Sequence, residues 1–253
     1  MQSLNGLNYR LNVATDRLLM LPLILDRLSF CVKGQMLIDS ISVQIEAGSR
    51  TLILGPNGAG KSVLMRLCHG LLQPSSGQVI WKNKHAGVFR QIQAMVFQRP
   101  VMLRRSALAN ITYALGLSGV SAEESRLRAE DVLEAVGLSQ KAQHSARVLS
   151  LGEQQRLALA RAWALGPEVL FLDEPTAHLD PNATRDIESI IAAIQATGTK
   201  IIMTTHSLGQ ARRLGDEILF LHNGKLVERS PAHSFFSAPA SAEAINYLRG
   251  ELP

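Results

Sequence analysis

Residues 55–62 carry the clearest chemistry in the chain, because they fit the pattern G-x-x-x-x-G-K-[ST]. They follow the apolar run Thr51–Leu54 and precede a helical pattern, which is the context that this motif requires. Glycines let backbone N–H groups close around phosphate oxygens, and a helix N-terminus adds partial positive charge. Lys61 would reach the β- and γ-phosphates, and the Ser62 hydroxyl would bind Mg²⁺. The predicted phosphate-binding residues are Gly55, Pro56, Asn57, Gly58, Ala59, Gly60, Lys61 and Ser62.

A pair of carboxylates follows a buried strand. Val169–Leu172 is continuously apolar, as a central parallel strand should be, and it is followed by Asp173 and Glu174. The carboxyl ends of such strands face the ligand crevice of a doubly wound sheet. Taken alone, the pair could equally be two solvated acids that begin a loop. Beside a phosphate loop, we predict that Asp173 holds Mg²⁺ and that Glu174 is the general base that polarises the attacking water.

The hydrophobic pattern along the chain predicts an α/β protein. Strand and helix alternate in its second half, which is typical of a parallel sheet with helical crossovers. We predict a P-loop NTPase core with a mainly parallel sheet, an antiparallel β part at the N-terminus and a helical insert over about 90–165. The predicted strands cover 23–32, 41–46, 50–55, 78–81, 168–172, 200–204 and 217–221. The predicted helices cover 60–71, 106–116, 122–136, 151–165, 182–196 and 207–213.

The length of the chain allows one or two domains, and α/β units of this size are often single. The chain has 253 residues, of which 46% are hydrophobic and 19% charged, enough to bury a substantial core. The net charge of +5 is scattered and aromatic residues make up only 5%, which argues weakly against a nucleic-acid surface. The apolar run at 18–25 is too short to span a bilayer. We predict a loosely ordered leader at 1–22 and a single domain at 23–253, with Cys31 and Cys68 as small buried hydrophobes.

Four further motifs complete a resemblance to the ABC ATPase family that extends from about residue 23 to 228. Residues 149–156 (LSLGEQQR) resemble the family's signature segment, and residues 175–180 (PTAHLD) resemble its D-loop. Gln98 matches the Q-loop glutamine, and His206, which follows an apolar strand, matches the switch histidine. Any one of these alone would have an ordinary interpretation, and Ser150-x-x-Glu153 is also a helix capping box. Their joint occurrence in this order is highly specific.

The resemblance implies roles for these residues in a dimer that encloses two ATP molecules. Ser150 and Gly152 would meet the γ-phosphate held by the opposite subunit, and Asp180 would act across the dimer interface. Gln98 would contact Mg²⁺ or water and transmit the nucleotide state to a partner. His206 would contact the γ-phosphate and help to position the water. The implied cofactors are ATP and Mg²⁺.

Two positions depart from the family's pattern. The signature segment normally has two glycines after its serine, but here the first is Leu151, which adds bulk where a backbone should approach phosphate closely. The aromatic residue that usually stacks on adenine is replaced by Val32, with Phe30 two residues earlier. We therefore predict a slower or differently packed closed site and weak discrimination between bases.

The leading functional prediction is the ATPase subunit of a bacterial importer, with a tungstate-like oxyanion as cargo. Its expected partners are a second ATP-binding subunit, most simply an identical one, an integral membrane permease and a substrate-binding protein, with no nucleic acid. Its expected place is the cytoplasmic face of the membrane, as a peripheral protein. Two alternatives stay open: an exporter ATPase subunit, and a soluble ABC ATPase that acts on nucleic acid or ribosomes.

Overall fold

The structure is a computed structural model that describes residues 20–82 and 93–251. The strands are β1 (Leu23–Val32), β2 (Gln35–Ile45), β3 (Thr51–Leu54), β4 (Ser76–Trp81), β5 (Gln93–Val96), β6 (Val169–Asp173), β7 (Lys200–Thr204), β8 (Glu217–His222) and β9 (Lys225–Pro231). The α-helices are α1 (Lys61–His69), α2 (Ala107–Leu117), α3 (Ala122–Ala135), α4 (Leu151–Ala164), α5 (Pro181–Ala196), α6 (Leu208–Leu214), α7 (Ala232–Ser237) and α8 (Ala242–Arg249). Short 3₁₀ turns cover Ser139–Lys141 and Ala146–Val148.

The chain divides into two compact units. Of the described residues, the first unit contains 93–170 and 175–199, and we call it the helical unit. The second contains 20–82, 171–174 and 200–251, and we call it the sheet unit. Residues 1–19 of the predicted leader lie outside the described residues, whereas Met20 and Leu21 at its end are buried.

An antiparallel sheet opens the sheet unit, as predicted, with the strand order β2-β1-β4. Buried residues alternate with more exposed ones in the first part of β1 and the second part of β2, and Leu23 pairs with Ile45. β2 begins at Gln35, earlier than the predicted residue 41, because a turn at Lys33 and Gly34, both with positive φ, returns the chain directly after β1. The antiparallel part is therefore a long hairpin with β4 added beside β1.

The main sheet of the same unit is mostly parallel, again as predicted. Its strands follow the order β6-β7-β3-β8-β9, and β3 is fully buried between its parallel neighbours β7 and β8. The antiparallel strand β9 and the helices α7 and α8, which follow β8, were not predicted. The carboxyl ends of β3, β6 and β7 lead into the phosphate loop, the acidic pair and His206.

The helical unit carries the predicted insert, with one correction. The insert was expected to be mostly helical from residue 90, but Gln93–Val96 forms the strand β5. A segment of four residues has too little periodicity to distinguish a strand from a buried helix segment. The predicted helices are confirmed to within a few residues, and Ser106 and Ser121 cap the amino ends of α2 and α3 with their hydroxyl oxygens.

The predicted burial of the two cysteines is confirmed for one of them. Cys68 is buried as expected, and burial raises the pKa of its thiol to about 12, but Cys31 is only half-buried at the end of β1. In the described parts of the chain, no helix has the length and apolar character needed to cross a bilayer.

Candidate functional site

The phosphate loop connects β3 to α1 in a conformation that only glycine accommodates at two positions. Gly55 and Gly60 have φ values of 148° and 98°. A Cβ atom on Gly55 would lie 2.1 Å from the carbonyl oxygen of Leu221, and one on Gly60 would lie 2.7 Å from that of Leu37. The loop therefore packs closely against the backbones of β2 and β8. Its two glycines are required both by this close packing and by their positive φ values.

Lys61 is held inside the loop that precedes it. Its Nζ donates hydrogen bonds to the carbonyl oxygens of Gly55 (2.8 Å) and Pro56 (2.9 Å), and the residue is only 6% exposed. Burial lowers the pKa of Lys61, while the nearby carboxylates of Glu174 and Asp173 act in the opposite direction. The loop thus already surrounds a cation, which is the charge that a polyphosphate needs.

Asp173 is the centre of a short hydrogen-bonded chain. Ser62 Oγ and Thr204 Oγ1 each donate to Asp173 Oδ1 at 2.8 Å, and the backbone N–H of Glu174 donates to Thr204 Oγ1 at 2.9 Å. Thr204 was not among the predicted site residues. The signal that could have found it is its position as a polar residue at the carboxyl end of β7, the strand beside β6. Thr204 links the side chain of Asp173 to the backbone of Glu174 through these two hydrogen bonds.

Glu174 and His206 face each other. His206 Nδ1 lies 3.2 Å from Glu174 Oε2, and the imidazole is exposed. Glu174 has a φ of 47°, a left-handed conformation that is uncommon for a residue with a side chain and that concentrates at functional sites. The turn after β6 therefore directs this carboxylate towards the residue that follows β7.

The residues beside the phosphate loop suit a magnesium ion. Ser62 and Asp173 supply a hydroxyl and a carboxylate oxygen at one point, and Asp173 is 4% exposed. Mg²⁺ in nucleotide sites is held by one or two protein oxygens together with phosphates and water, so few protein ligands are needed. Within 20–82 and 93–251, no group of three or more His, Cys, Asp or Glu side chains could hold a metal by itself. This donor set fits a cation that arrives with a phosphate ligand.

The helical unit brings together the signature segment and the D-loop. Ser150 and Glu153 form the predicted capping box at the start of α4, with the Ser150 N–H donating to Glu153 Oε2 at 2.9 Å. Asp180 caps α5 by accepting from the N–H groups of Asn182 (2.8 Å) and Ala183 (3.0 Å). The two helix ends line one open recess of about 440 Å³. The recess is bordered by Ser150, Leu151, Gly152, Glu153, Arg156, His178, Leu179, Asp180, Asn182, Ala183 and Asp186.

Gly152 and Leu151 differ in how they pack at this recess. A Cβ atom on Gly152 would lie 3.2 Å from Cβ of Ala183, so the glycine allows α4 and α5 to approach closely. Leu151 is 41% exposed, with its side chain at the mouth of the recess.

Gln98 lies just after β5, is half-buried and does not line this recess. The predicted residues thus form one cluster in the sheet unit and one in the helical unit, with Gln98 separate from the second.

Comparison with known proteins identifies the family. The family model described as "ABC transporter" matches residues 38–177, more than half of the chain. The chain belongs to the ABC transporter family. The match includes the phosphate loop, the signature segment and the acidic pair, and this ABC protein is an ATP-binding ATPase of the family.

Named relatives of this ABC protein are importer subunits. The tungstate uptake system ATP-binding protein TupC of Peptoclostridium acidaminophilum is 38% identical over 204 residues, covering 80% of this chain and 94% of that protein. The phosphate import ATP-binding protein PstB 2 of Natronomonas pharaonis is 35% identical over 236 residues (87% and 83%). The methionine import ATP-binding protein MetN of Corynebacterium jeikeium is 33% identical over 225 residues (85% and 61%).

Solved structures of ABC proteins share the fold. The ATP-binding cassette MJ0796, in a dimeric post-hydrolysis state bound to ADP and Pi, superposes with a TM-score of 0.75 at 26% identity, covering 83% of this chain and 98% of that one. The cbiO1 subunit from Clostridium perfringens, part of the ABC transporter complex cbiONQ, gives 0.77 at 28% identity, covering 91% and 95%. These likenesses extend well beyond the residues matched by the family model.

Proposed function

We propose that this ABC ATPase powers a bacterial importer and that its nucleotide site is the cluster in the sheet unit. The observation that carries the proposal is a series of hydrogen bonds that links Ser62, Asp173, Thr204 and Glu174. These bonds place a general base next to a phosphate loop. A loop that merely turned between strand and helix would need neither the buried Lys61 nor the acid in a left-handed conformation.

The proposed roles follow from the geometry of each group. The loop's N–H groups and Lys61 bind the phosphates, and Ser62 and Asp173 would hold Mg²⁺, which would neutralise phosphate charge. The resemblance to the family assigns Gln98 a contact with the same ion or with water. Glu174 orients a water molecule and accepts its proton as the water oxygen attacks the γ-phosphorus and ADP leaves. His206, hydrogen-bonded to Glu174, fixes the direction of that carboxylate and contacts the γ-phosphate.

The second cluster supports a working dimer of identical chains. Ser150 and Gly152 lie at the N-terminus of α4, where the helix dipole favours an anion. The recess at this end is open, which suits a phosphate held by another copy of the chain, and Asp180 borders it. The dimeric state of MJ0796 with ADP and Pi supports the same arrangement. ATP would hold the two copies together, and hydrolysis would release them.

A groove in the helical unit supports docking on a membrane permease. It has a volume of about 230 Å³ and is lined by apolar residues of β5, α2 and α4 together with Gln93 and Arg161, and its lining includes Val101, which is 68% exposed. Exposed apolar residues beside a groove are typical of a protein interface. We therefore propose a peripheral position on the cytoplasmic face of the membrane, with a permease and a substrate-binding protein as partners and no nucleic acid.

For the cargo we propose a tungstate-like oxyanion. The relatives TupC and PstB are named for tungstate and phosphate, both tetrahedral oxyanions. Methionine is the second candidate, because the relative MetN is named for it. Cargo selection itself belongs to the permease and the binding protein, so it must be tested in their presence.

The test is affinity purification of the tagged Glu174→Gln chain from its native cells in mild detergent with ATP. A polytopic membrane protein that co-purifies is the expected result, and ribosomal proteins or nucleic acid without one would overturn the transporter proposal. The purified complex of the wild-type chain would then be assayed for ATP hydrolysis with its binding protein and tungstate, phosphate or methionine. We expect stimulation by tungstate, and stimulation by methionine alone would overturn the oxyanion assignment.

A further inference from the structure

The last described helix, α8, packs against β9, and its Tyr247 contacts Phe220 of β8, the strand between β9 and β3. Phe220, in the middle of β8, pairs with Leu54 of β3 on one side and with Glu228 of β9 on the other. Leu54 directly precedes Gly55, the first residue of the loop. Three neighbouring strands therefore place Glu228, Phe220 and the start of the loop in one row across the sheet.

Glu228 fixes the amino end of α8 at one end of this row. Its carboxylate accepts hydrogen bonds from the N–H groups of Ala240 (3.0 Å) and Ser241 (2.9 Å) and from the hydroxyls of Ser241 (2.8 Å) and Ser230 (3.1 Å). Burial alone would raise the pKa of Glu228, but these donors outweigh it and lower the pKa. An ionised carboxylate with this many donors is a rigid anchor for the helix start.

Tyr247 lies near the other end of the row. From Ser241 to Tyr247 a helix rises about 9 Å, and two strand spacings amount to about 9.6 Å. α8 is thus long enough to reach from β9 to β3. The Tyr247 ring packs against Phe220 with 5.1 Å between ring centroids, and Phe220 is fully buried.

The Tyr247 hydroxyl lies close enough to the backbone of Gly55 for that backbone to lower the pKa of the phenol. A backbone group that lowers this pKa stabilises the phenolate, as the N–H of Gly55 would. Burial and the charge of Glu174 raise the pKa of Tyr247, so the phenol stays protonated at neutral pH and retains a hydrogen to donate. The same hydroxyl is therefore within the electrostatic reach of Glu174.

We propose that Tyr247 is a positioning residue for nucleotide binding: α8 holds its hydroxyl on the backbone of Gly55, and this contact sets the conformation of the phosphate loop. Because Gly55 also packs against β8 without room for a Cβ, its position is determined from two sides. The proposal rests on the nucleotide site proposed above. It concerns a residue that lies 70 positions beyond the end of the family match at residue 177.

The experiment compares full-length wild type with Tyr247→Phe, which keeps the ring on Phe220 and removes only the hydroxyl. Tyr113→Phe is the matched control, because Tyr113 is 40% exposed and contacts Arg105 in the helical unit. We would measure kcat and KM for MgATP, the Kd for MgATP and the Tm. One lost neutral hydrogen bond predicts a KM and a Kd raised about three- to tenfold in Tyr247→Phe. The kcat and Tm should stay close to wild type, and Tyr113→Phe should match wild type throughout.

A second variant, Ser241→Ala, leaves Tyr247 intact but removes a side-chain donor to Glu228 and the cap of α8. A rise in KM in the same direction supports the proposal, because it shows that the helix positions the hydroxyl. Unchanged KM and Kd in Tyr247→Phe overturn it, and so does a fall in kcat that only follows a lower Tm. If wild type itself neither binds nor hydrolyses ATP, the proposed function fails instead.

Discussion

His206 Nδ1 lies 3.2 Å from Glu174 Oε2, although the two residues are 32 positions apart. Glu174 follows β6 and His206 follows β7, and these strands are neighbours in the sheet. Parallel neighbours end at the same edge, so residues that follow them meet there. The backbone N–H of Glu174 donates to Thr204 Oγ1. The backbone and the carboxylate of Glu174 therefore each have a partner on β7 or just after it.

Glu174→Gln should abolish most hydrolysis while preserving nucleotide binding. Glutamine keeps the shape of the side chain but cannot accept the proton of the attacking water. We expect kcat to fall by about 10²- to 10⁴-fold, the usual contribution of a general base, with the Kd for MgATP unchanged. Single-turnover hydrolysis and equilibrium binding would test this. Glu130→Gln, on an exposed pair with Arg126, is the control. A kcat within a factor of a few of wild type would remove Glu174 from the role of base.

Thr204→Val should affect both stability and catalysis. Valine matches the shape of threonine but leaves the N–H of Glu174 without its acceptor and removes one of the two hydroxyl donors to Asp173. We expect a loss of about 1–3 kcal/mol in the free energy of unfolding and a lower kcat. Thr199→Val is the matched control, because it removes an equally buried hydroxyl that donates to Pro167 in the helical unit. Urea unfolding and ATPase assays on both variants would show whether kcat falls only in Thr204→Val.

Leu151→Gly should raise turnover. Leu151 is 41% exposed at the mouth of the recess, where a second copy would bring phosphate close to the α4 backbone. Removing this bulk should increase kcat, by up to about tenfold, at a small cost in helix stability. Turnover measured at high protein concentration, where dimers form, is the appropriate assay. Unchanged turnover would mean that the leucine is accommodated without cost.

Base discrimination should be weak and should improve in Val32→Tyr. Val32 is 41% exposed at the end of β1, and the half-buried Phe30 precedes it by two positions. We expect wild type to use GTP about as well as ATP. An added aromatic ring for stacking should lower the KM for ATP by roughly two- to tenfold, since aromatic pairs contribute about 0.5–1.5 kcal/mol. A strong ATP preference in wild type that disappears in Phe30→Ala would instead assign the stacking role to Phe30.

Lys200 should make stability depend on pH. It is 1% exposed at the start of β7, where its Nζ donates to the carbonyl oxygen of Ser49, and burial lowers its pKa from 10.5 to about 8. Below pH 8 the lysine is charged in both folded and unfolded chains, so folding carries the whole cost of burying the charge. Between pH 8 and 10.5 only the unfolded chain holds the proton, so this cost diminishes as pH rises.

Lys200→Met isolates that effect, because all other titrating groups are shared with wild type. We expect the variant to be more stable at pH 7 by about 1–2 kcal/mol, and the difference to shrink by pH 9.5. Urea denaturation of both proteins at the two pH values would measure it. A difference that stays constant with pH would show that Lys200 keeps its ordinary pKa.

Local sequence determined the identity and spacing of the chemical groups. The phosphate loop needs glycines where φ is positive and the backbone is crowded, and these are visible in the sequence as Gly55 and Gly60. The apolar run before Asp173 predicted a buried strand, and β6 confirmed it. The capping box of Ser150 and Glu153 was predicted and observed because capping depends only on neighbours along the chain.

Only the tertiary structure decided which distant residues meet. Thr204 bridges Asp173 and Glu174 because β7 lies next to β6, and strand order is not written in any local pattern. The strand β5 and the last strand and helices were missed because short apolar runs and short helices have too few turns to show a period. The proposed contact of Tyr247 with the phosphate loop depends on that same tail, since a helix about 190 residues away along the chain could approach Gly55 only after the sheet has formed.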